Sequence, residues 1–98
     1  MAVLHVQEYR ELAQDAKGYT IQAGKEPALA TQAKTLSGST QSDAFQVHTQ
    51  FVRVVSDVAC HLKFGVNPTA TTSDMLIQAA TVEFFAVIPD QKIAALEV

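Results

Sequence analysis

The second half of this 98-residue chain is a series of short segments in which apolar residues recur at every other position. The segments are FVRVVSD, VACHLKF, DMLIQA, TVEFFAV and KIAALEV, and turn-forming clusters such as GVNPTATTS and IPDQ separate most of them. Period-two segments of this length, bounded by turns, are typical of strands. We therefore predict an all-β domain, either a two-sheet sandwich of jelly-roll type or a small β-barrel, with about seven or eight strands.

Residues 1 to about 42 are more polar and more weakly patterned. Ala2–Tyr9 alternates and can be a strand, and the alternative is that a helix of at most one to two turns begins within Glu8–Ala16, where apolar residues have helical spacing and Gly18 would stop it. In the strand, Val3, His5, Gln7 and Tyr9 share one face, and Ala2, Leu4, Val6 and Glu8 share the other. A turn is expected at Gly24–Pro27, and a further strand at Ala28–Leu36.

Three patterns in the second half make specific predictions about burial and about how two strands are connected. Phe51–Val55 is apolar on nearly both faces and is expected to be a central strand. Val58, Cys60, Leu62 and Phe64 alternate with Ala59, His61 and Lys63, so the first set should face a core and the second set water. Asp57 between these two segments indicates a hairpin.

The adjacent rings of Phe84 and Phe85 point to opposite sides of their strand. One ring is expected to fill the core, while the other contacts a neighbouring element or another subunit. We take Phe85 as the candidate for contact between chains.

Composition limits the classes of function. With 48% hydrophobic and only 17% charged residues, this short chain has more apolar surface than a small monomer needs, which favours an oligomer or an assembly component. A net charge of −3 without a Lys/Arg cluster argues against nucleic-acid binding. No apolar window is long enough for a transmembrane helix, and the first residues do not resemble a signal peptide. A single cysteine, Cys60, excludes an internal disulfide and is consistent with a reducing cytosol.

No pattern in the sequence predicts catalysis, a cofactor or a metal. Cys60 and His61 are neighbours in a strand and face opposite sides, so they cannot readily share a metal ion. The acidic residues Asp57, Asp74 and Asp90 lie at predicted strand ends, where Asp commonly bonds to turn N–H groups. No nucleophile, phosphate-loop or zinc-protease motif occurs. The chain is therefore predicted not to be an enzyme.

Two segments carry a family resemblance. FGVNPTATTSDMLIQAATVEFFAVIPDQKIAAL resembles the C-terminal part of small virion structural proteins of tailed bacteriophages, some of which are head decoration or cement proteins, and VLHVQEYRELAQDAKG resembles their beginning. The middle of the chain is not covered. Such proteins tend to have Gly at the position of Asp90, in a turn written here Pro89-Asp90-Gln91-Lys92. Asp tolerates left-handed turn conformations better than most residues, so the turn is expected to survive.

The resemblance implies a non-enzymatic capsid decoration protein, made in the bacterial cytoplasm and located on the capsid surface of the virion. Its implied partners are the major capsid protein and copies of itself, with no nucleic acid and no membrane. One alternative is a neck, tail or fibre-associated virion component. Another is a small cupin-like ligand-binding barrel, although the chain lacks the histidine-rich motif that such a barrel normally needs.

The sequence predicts one domain over residues 1–98, in which residues 1–9 are either an inner or edge strand or an arm that pairs with a neighbouring subunit. Gly65–Asp74 should be an ordered turn or long hairpin loop because Pro68 restricts it. Its threonines are suited to a surface contact, although a solvated loop is the simpler alternative. The candidate contact residues are Val3, Leu4, Val6, Tyr9, Thr69, Thr71 and Phe85.

Overall fold

A computed structural model describes residues 2–98 and contains ten β-strands within them. The strands are β1 (Val3–Tyr9), β2 (Leu12–Gln14), β3 (Thr20–Gly24), β4 (Ala30–Thr35), β5 (Ser39–Gln41), β6 (Phe51–Ser56), β7 (Cys60–Gly65), β8 (Met75–Ile77), β9 (Glu83–Ala86) and β10 (Lys92–Glu97). All five strands predicted for the second half are present, as β6 to β10. Across residues 2–98, no helix is long and apolar enough to span a bilayer.

Eight of the strands form two four-stranded antiparallel sheets, in the orders β4-β1-β6-β9 and β5-β10-β7-β8. Strands β2 and β3 pair only with each other. The all-β prediction is thus confirmed in its sandwich form, because neither sheet closes into a barrel. We call the sheet containing β1 the first sheet and the sheet containing β10 the second sheet.

The strand order is that of a jelly roll in which the usual last strand comes first in the chain. From β4 onward, the chain crosses between the sheets at every connection except that from β7 to β8. This alternation produces the two interleaved four-stranded sheets of a jelly roll. Strand β1 lies between β4 and β6, the place that the last strand occupies in the usual order.

The core lies between the inner faces of the two sheets. Its buried members are Leu4, Val6, Leu36, Phe45, Val52, Val54, Cys60, Leu62, Ile77, Ile93 and Ala95. The predicted alternation in β7 is confirmed, since Cys60 and Leu62 are buried while Lys63 is exposed. The expectation that Phe51–Val55 is central is also confirmed, because β6 pairs with β1 on one side and β9 on the other.

Strand β1 is an inner strand of the first sheet. It pairs along most of its length with β4 on one side and β6 on the other. Because both of its backbone edges are already hydrogen-bonded within the chain, it has no free edge for a neighbouring subunit. The alternative of an intersubunit arm at residues 1–9 is therefore wrong for residues 2–9, and Met1 lies outside the described residues.

The predicted hairpin at Asp57 is also wrong. Strand β6 belongs to the first sheet and β7 to the second, so the chain crosses the core between Ser56 and Cys60 instead of turning back beside itself. Ser56 Oγ accepts a hydrogen bond from Val58 N (3.3 Å), which helps to hold the crossing. Alternate residues of both strands still point into the core, because β6 covers it from one side and β7 from the other.

A projecting hairpin, and no helix, follows β1. Gly18 has a positive φ of 84°, and the Asp15 carboxylate accepts hydrogen bonds from Lys17 N (2.8 Å) and Tyr19 N (3.0 Å). These contacts close the turn between β2 and β3. The alternative of a helix within Glu8–Ala16 is therefore wrong, and Gly18 supplies the left-handed residue of a hairpin turn instead of ending a helix.

One buried acid fastens a long loop to the first sheet. Glu8 is fully buried, and its Oε1 accepts hydrogen bonds from Gln46 N and Thr49 Oγ1, both at 2.8 Å. Its Oε2 accepts from Gln32 Nε2 at 3.1 Å, and Gln32 Oε1 in turn accepts from Asp43 N at 2.7 Å. A buried carboxylate is tolerated when its oxygens are hydrogen-bonded. Glu8 therefore attaches residues 43–49 to strand β1.

Candidate functional site

A row of aromatic rings crosses the outer face of the first sheet. Tyr9 on β1 stacks against Phe51 on β6 with ring centroids 5.3 Å apart, and Phe51 lies 6.2 Å from Phe84 on β9. Tyr9 and Phe51 are directly opposite each other in the β1–β6 register. Cross-strand aromatic pairs of this kind stabilise a sheet face. The row starts buried at Tyr9 and ends exposed at Phe84, which is 52% accessible.

The β2–β3 hairpin crosses this row of rings. Gly24 lies directly on the Tyr9 ring, where an added Cβ would come within 2.6 Å of ring carbons. Tyr9 Oη donates a 2.6 Å hydrogen bond to Glu26 just beyond the hairpin. Burial, together with the carboxylate of Glu26, raises the pKa of Tyr9 above its ordinary value. The base of the hairpin is thus attached to β1.

From Gly24 the hairpin runs toward β9. Ala23 and Gln22 face Phe51 and Phe84 across a gap. Residues 14–23 are all exposed, and the molecule measures 45 × 26 × 22 Å, longer than it is wide. The tip of the hairpin, residues 15–19, is therefore not packed against either sheet, and it carries Tyr19, which is 69% exposed.

A groove of about 370 Å³ lies between the hairpin and β9. Its lining is mostly apolar and consists of Leu12, Gln22, Ala23, Phe51, Phe84, Phe85 and Ala86. Concave apolar surface with few polar groups is characteristic of binding sites. The groove opens onto the backbone of β9, which is the edge strand of the first sheet.

One side of the β9 backbone is free. Val87 N donates to Gln50 O (3.1 Å), and Phe85 and Glu83 precede it at alternate positions, so their backbone groups also turn toward β6. In an antiparallel ladder the alternate residues face the other way. The backbone groups of Phe84 and Ala86 are therefore directed at the open edge.

The structure reverses the expected roles of the two rings on β9. Phe85 is half-buried and packs against Phe64 with ring centroids 5.0 Å apart, at the margin of the core. Phe84 lies on the outer face and is the exposed ring. The choice of Phe85 as the outward-facing ring is therefore corrected: Phe85 packs within the chain, and Phe84 is the exposed ring. The alternation in the sequence separates the two rings but does not say which side is inside.

The other candidate contact residues divide into buried and exposed groups. Leu4 and Val6 are core residues, and Tyr9 lies beneath the hairpin, so all three make their contacts within the chain. Val3 is half-buried on the outer face of β1. Only Thr69 and Thr71 are exposed.

These threonines belong to a loop, Gly65–Asp74, that covers the outer face of the second sheet. Gln41 Nε2 donates to Asn67 Oδ1 (2.9 Å) and to Pro68 O (2.8 Å), which places the loop over β5 and β10. The carboxylate of Asp74 accepts hydrogen bonds from Thr71 N (2.7 Å) and Thr71 Oγ1 (3.1 Å). The bond from Thr71 N is the main reason that the pKa of Asp74 is lowered. The predicted order of this loop is thus confirmed.

The side chains that could act in catalysis or metal binding are far apart or face different sides. Cys60 is buried, and burial raises the pKa of its thiol, whereas His61 faces outward with Nδ1 3.1 Å from Asp74 O. Within residues 2–98 no group of three or more His, Cys, Asp and Glu side chains is placed to bind one metal ion.

The turn before β10 has the conformation that its sequence suggests. Asp90 has a φ of 68°, and its N–H donates to Phe45 O at 3.2 Å. Gly adopts this left-handed region most readily, and Asp tolerates it better than most residues. The prediction that Asp90 preserves a turn written with Gly in the resembling phage proteins is therefore consistent with the backbone.

Comparisons with known proteins find no match. No protein-family model matches the chain, and no curated protein and no solved structure matches it.

Proposed function

We propose that this protein is a non-enzymatic bacteriophage virion component that binds the major capsid protein as a decoration, or cement, protein. The observation that carries the proposal is the left-handed backbone at Asp90. It occurs at the position where the resembling phage proteins have Gly, inside the longer of the two resembling segments. Because Asp90 adopts a backbone conformation that Gly favours, this position supports the resemblance to those proteins.

The distribution of surface also supports an assembly role. Apolar side chains that remain exposed include Leu12, Ile21, Val47, Val66, Leu76, Phe84 and Ile88. The groove between the hairpin and β9 is lined by apolar side chains and Gln22, with no ionisable side chain in its lining. Extensive exposed apolar surface on a small domain is suited to contacts with other proteins.

We assign the contact with the capsid to the Gly65–Asp74 loop. The loop is held on the second sheet by Gln41 and closed by the Thr71–Asp74 hydrogen bonds, so its exposed side chains are positioned in advance. A preordered loop loses little conformational entropy on binding. Thr69 and Thr71 then offer neutral hydrogen-bonding groups to the capsid surface.

Stabilisation of the capsid follows from mass action. A protein that binds the mature lattice, and binds it better than separate capsomers, shifts the equilibrium toward that lattice. Subunits that bridge neighbouring capsomers act in this way without any chemical reaction. Many copies per particle add many small increments to the stability of the head.

The test is to add the purified protein to phage particles that lack it, and to measure occupancy and the temperature of genome release. We expect saturable binding and a higher release temperature. Absence of binding by the full-length protein contradicts the proposal, and binding only to isolated tails supports the alternative of a neck, tail or fibre component.

A matched pair of variants tests the loop. Thr69→Glu places a charge on the exposed loop, and Thr31→Glu places the same charge on the exposed outer face of β4, on the other sheet. Weaker occupancy for Thr69→Glu alone supports the loop as the contact, and equal occupancy of both variants rejects it.

A further inference from the structure

The free edge of β9 differs from the other three sheet edges. Strands β5 and β8 are edges of three residues, one fewer than β9. At the β4 edge, Lys34 lies on the same side of the strand as the buried Gln32 and bonds to Asp43 at 3.1 Å. Short edge strands and inward-directed charges are the devices that prevent sheets from joining.

The β9 edge instead carries an uncharged apolar stripe. Residues at alternate positions along it are all exposed: Val82, Phe84, Ala86 and Ile88. Val82, Phe84 and Ile88 are 42%, 52% and 62% accessible, respectively. Phe84 and Ala86 are two positions apart within β9 and share one face beside their free backbone groups, and Val82 and Ile88 flank the strand at the same spacing.

We infer that β9 is a strand-pairing interface for a second copy of this chain. Two β9 edges joined antiparallel about a two-fold axis at Phe85 convert the two first sheets into one eight-stranded sheet. Phe84 of each copy then lies opposite Ala86 of the other, and Val82 lies opposite Ile88. The free backbone groups of Phe84 and Ala86 form the new ladder.

The stripe is self-complementary in this register, which is why a second copy is the occupant. A large ring meets a small methyl group in two equivalent pairs, and Glu83 lies opposite Val87 instead of another charge. Isologous interfaces require this property, because each contact occurs twice. The β2–β3 hairpin of each copy also exposes Tyr19 and Ile21.

The interface is independent of the capsid contact. The stripe belongs to the first sheet, whereas the Gly65–Asp74 loop covers the second, so both surfaces can be occupied at once. Four-residue edges bury less than the 1,200–2,000 Å² or so of a standard interface, so we expect a weak and reversible dimer.

Sedimentation velocity of the purified full-length protein over a range of concentrations tests the inference. We expect reversible dimers in the wild type and at least about a tenfold higher dissociation constant for Phe84→Lys, because the charge enters the apolar stripe. Ala33→Lys is the matched control, because Ala33 is exposed on the β4 edge, and it should dimerise like the wild type.

A complementary pair tests the register. Phe84→Lys and Ala86→Glu should each be largely monomeric alone, whereas their mixture should form heterodimers in which the new Lys and Glu side chains are opposite each other. A wild type that stays monomeric at its solubility limit overturns the inference, as does equal dimerisation of Phe84→Lys and Ala33→Lys. Failure of the mixture to dimerise overturns the register. A monomeric protein that still binds particles rejects this interface and leaves the capsid role standing.

Discussion

The hydroxyl of Thr49 donates a 2.8 Å hydrogen bond to Oε1 of Glu8, and both side chains are fully buried. Forty-one positions separate them in the chain, so the bond forms only when the loop before β6 closes over β1. Gln46 N and Gln32 Nε2 complete the set of donors to the same carboxylate.

Glu8→Ala should therefore lower the free energy of unfolding by about 3–5 kcal/mol, because three donors lose their acceptor and two of them, on Gln32 and Thr49, are buried. Denaturant unfolding measures the change. Glu11→Ala is the control: Glu11 is exposed and paired only with Lys25 on the surface, so its loss should cost less than about 1 kcal/mol. Similar small effects of the two substitutions would contradict the structural role of Glu8.

Substituting the two adjacent rings of β9 should have unequal effects on stability. Phe85→Ala removes a ring that packs against Phe64 and the core, and we expect a loss of about 2–4 kcal/mol. Phe84→Ala removes an exposed ring and should change the stability of the monomer by about 0.5 kcal/mol. Denaturant unfolding at low protein concentration, where the monomer dominates, compares the two. The opposite order would place Phe84 inside.

Asp90→Gly should raise the free energy of unfolding by about 0.5–1 kcal/mol. Asp90 has a φ of 68°, a left-handed conformation that costs an L-residue with a Cβ more than it costs Gly. Ala80 has a φ of 57° and should respond in the same direction when replaced by Gly. Thermal unfolding measures both, and Gly18→Ala, the reverse change at a φ of 84°, should be destabilising.

The hydroxyl of Tyr9 should ionise above pH 10. The chain has two tyrosines, so Tyr19→Phe leaves Tyr9 as the only one, and its absorbance change near 295 nm reports its ionisation. Burial and Glu26 raise its pKa above the ordinary 10.0, and Glu26→Gln should lower the midpoint again. The folded protein therefore binds this proton more tightly than the unfolded chain. Its contribution to stability is complete below pH 10 and is lost as the pH rises through the raised pKa. A midpoint at or below 10.0 would contradict the buried contact with Glu26.

The local features of this fold could be predicted from the sequence. Alternation identified the five strands from β6 to β10 and the buried set in β7, because a strand's side chains alternate between two faces whatever its neighbours are. The sharp turn at Asp90 was likewise visible from residue types that tolerate a left-handed backbone. Glu8 was placed on the same face as Leu4 and Val6, although nothing in the pattern indicated its buried partners.

Only the tertiary structure decided how the strands are assembled. Period-two alternation does not specify which sheet a strand joins, so β6 and β7 were expected to form a hairpin although they cover the core from opposite sides. The same limit applies to Phe84 and Phe85. Local alternation places their rings on opposite faces of β9, but the position of the second sheet decides which face is buried. The segment that projects from the domain is the β2–β3 hairpin and not residues 2–9, because β1 is enclosed by two strands that are distant in the chain. Pairing between distant segments depends on the summed burial of the whole core, and a single segment does not contain that information.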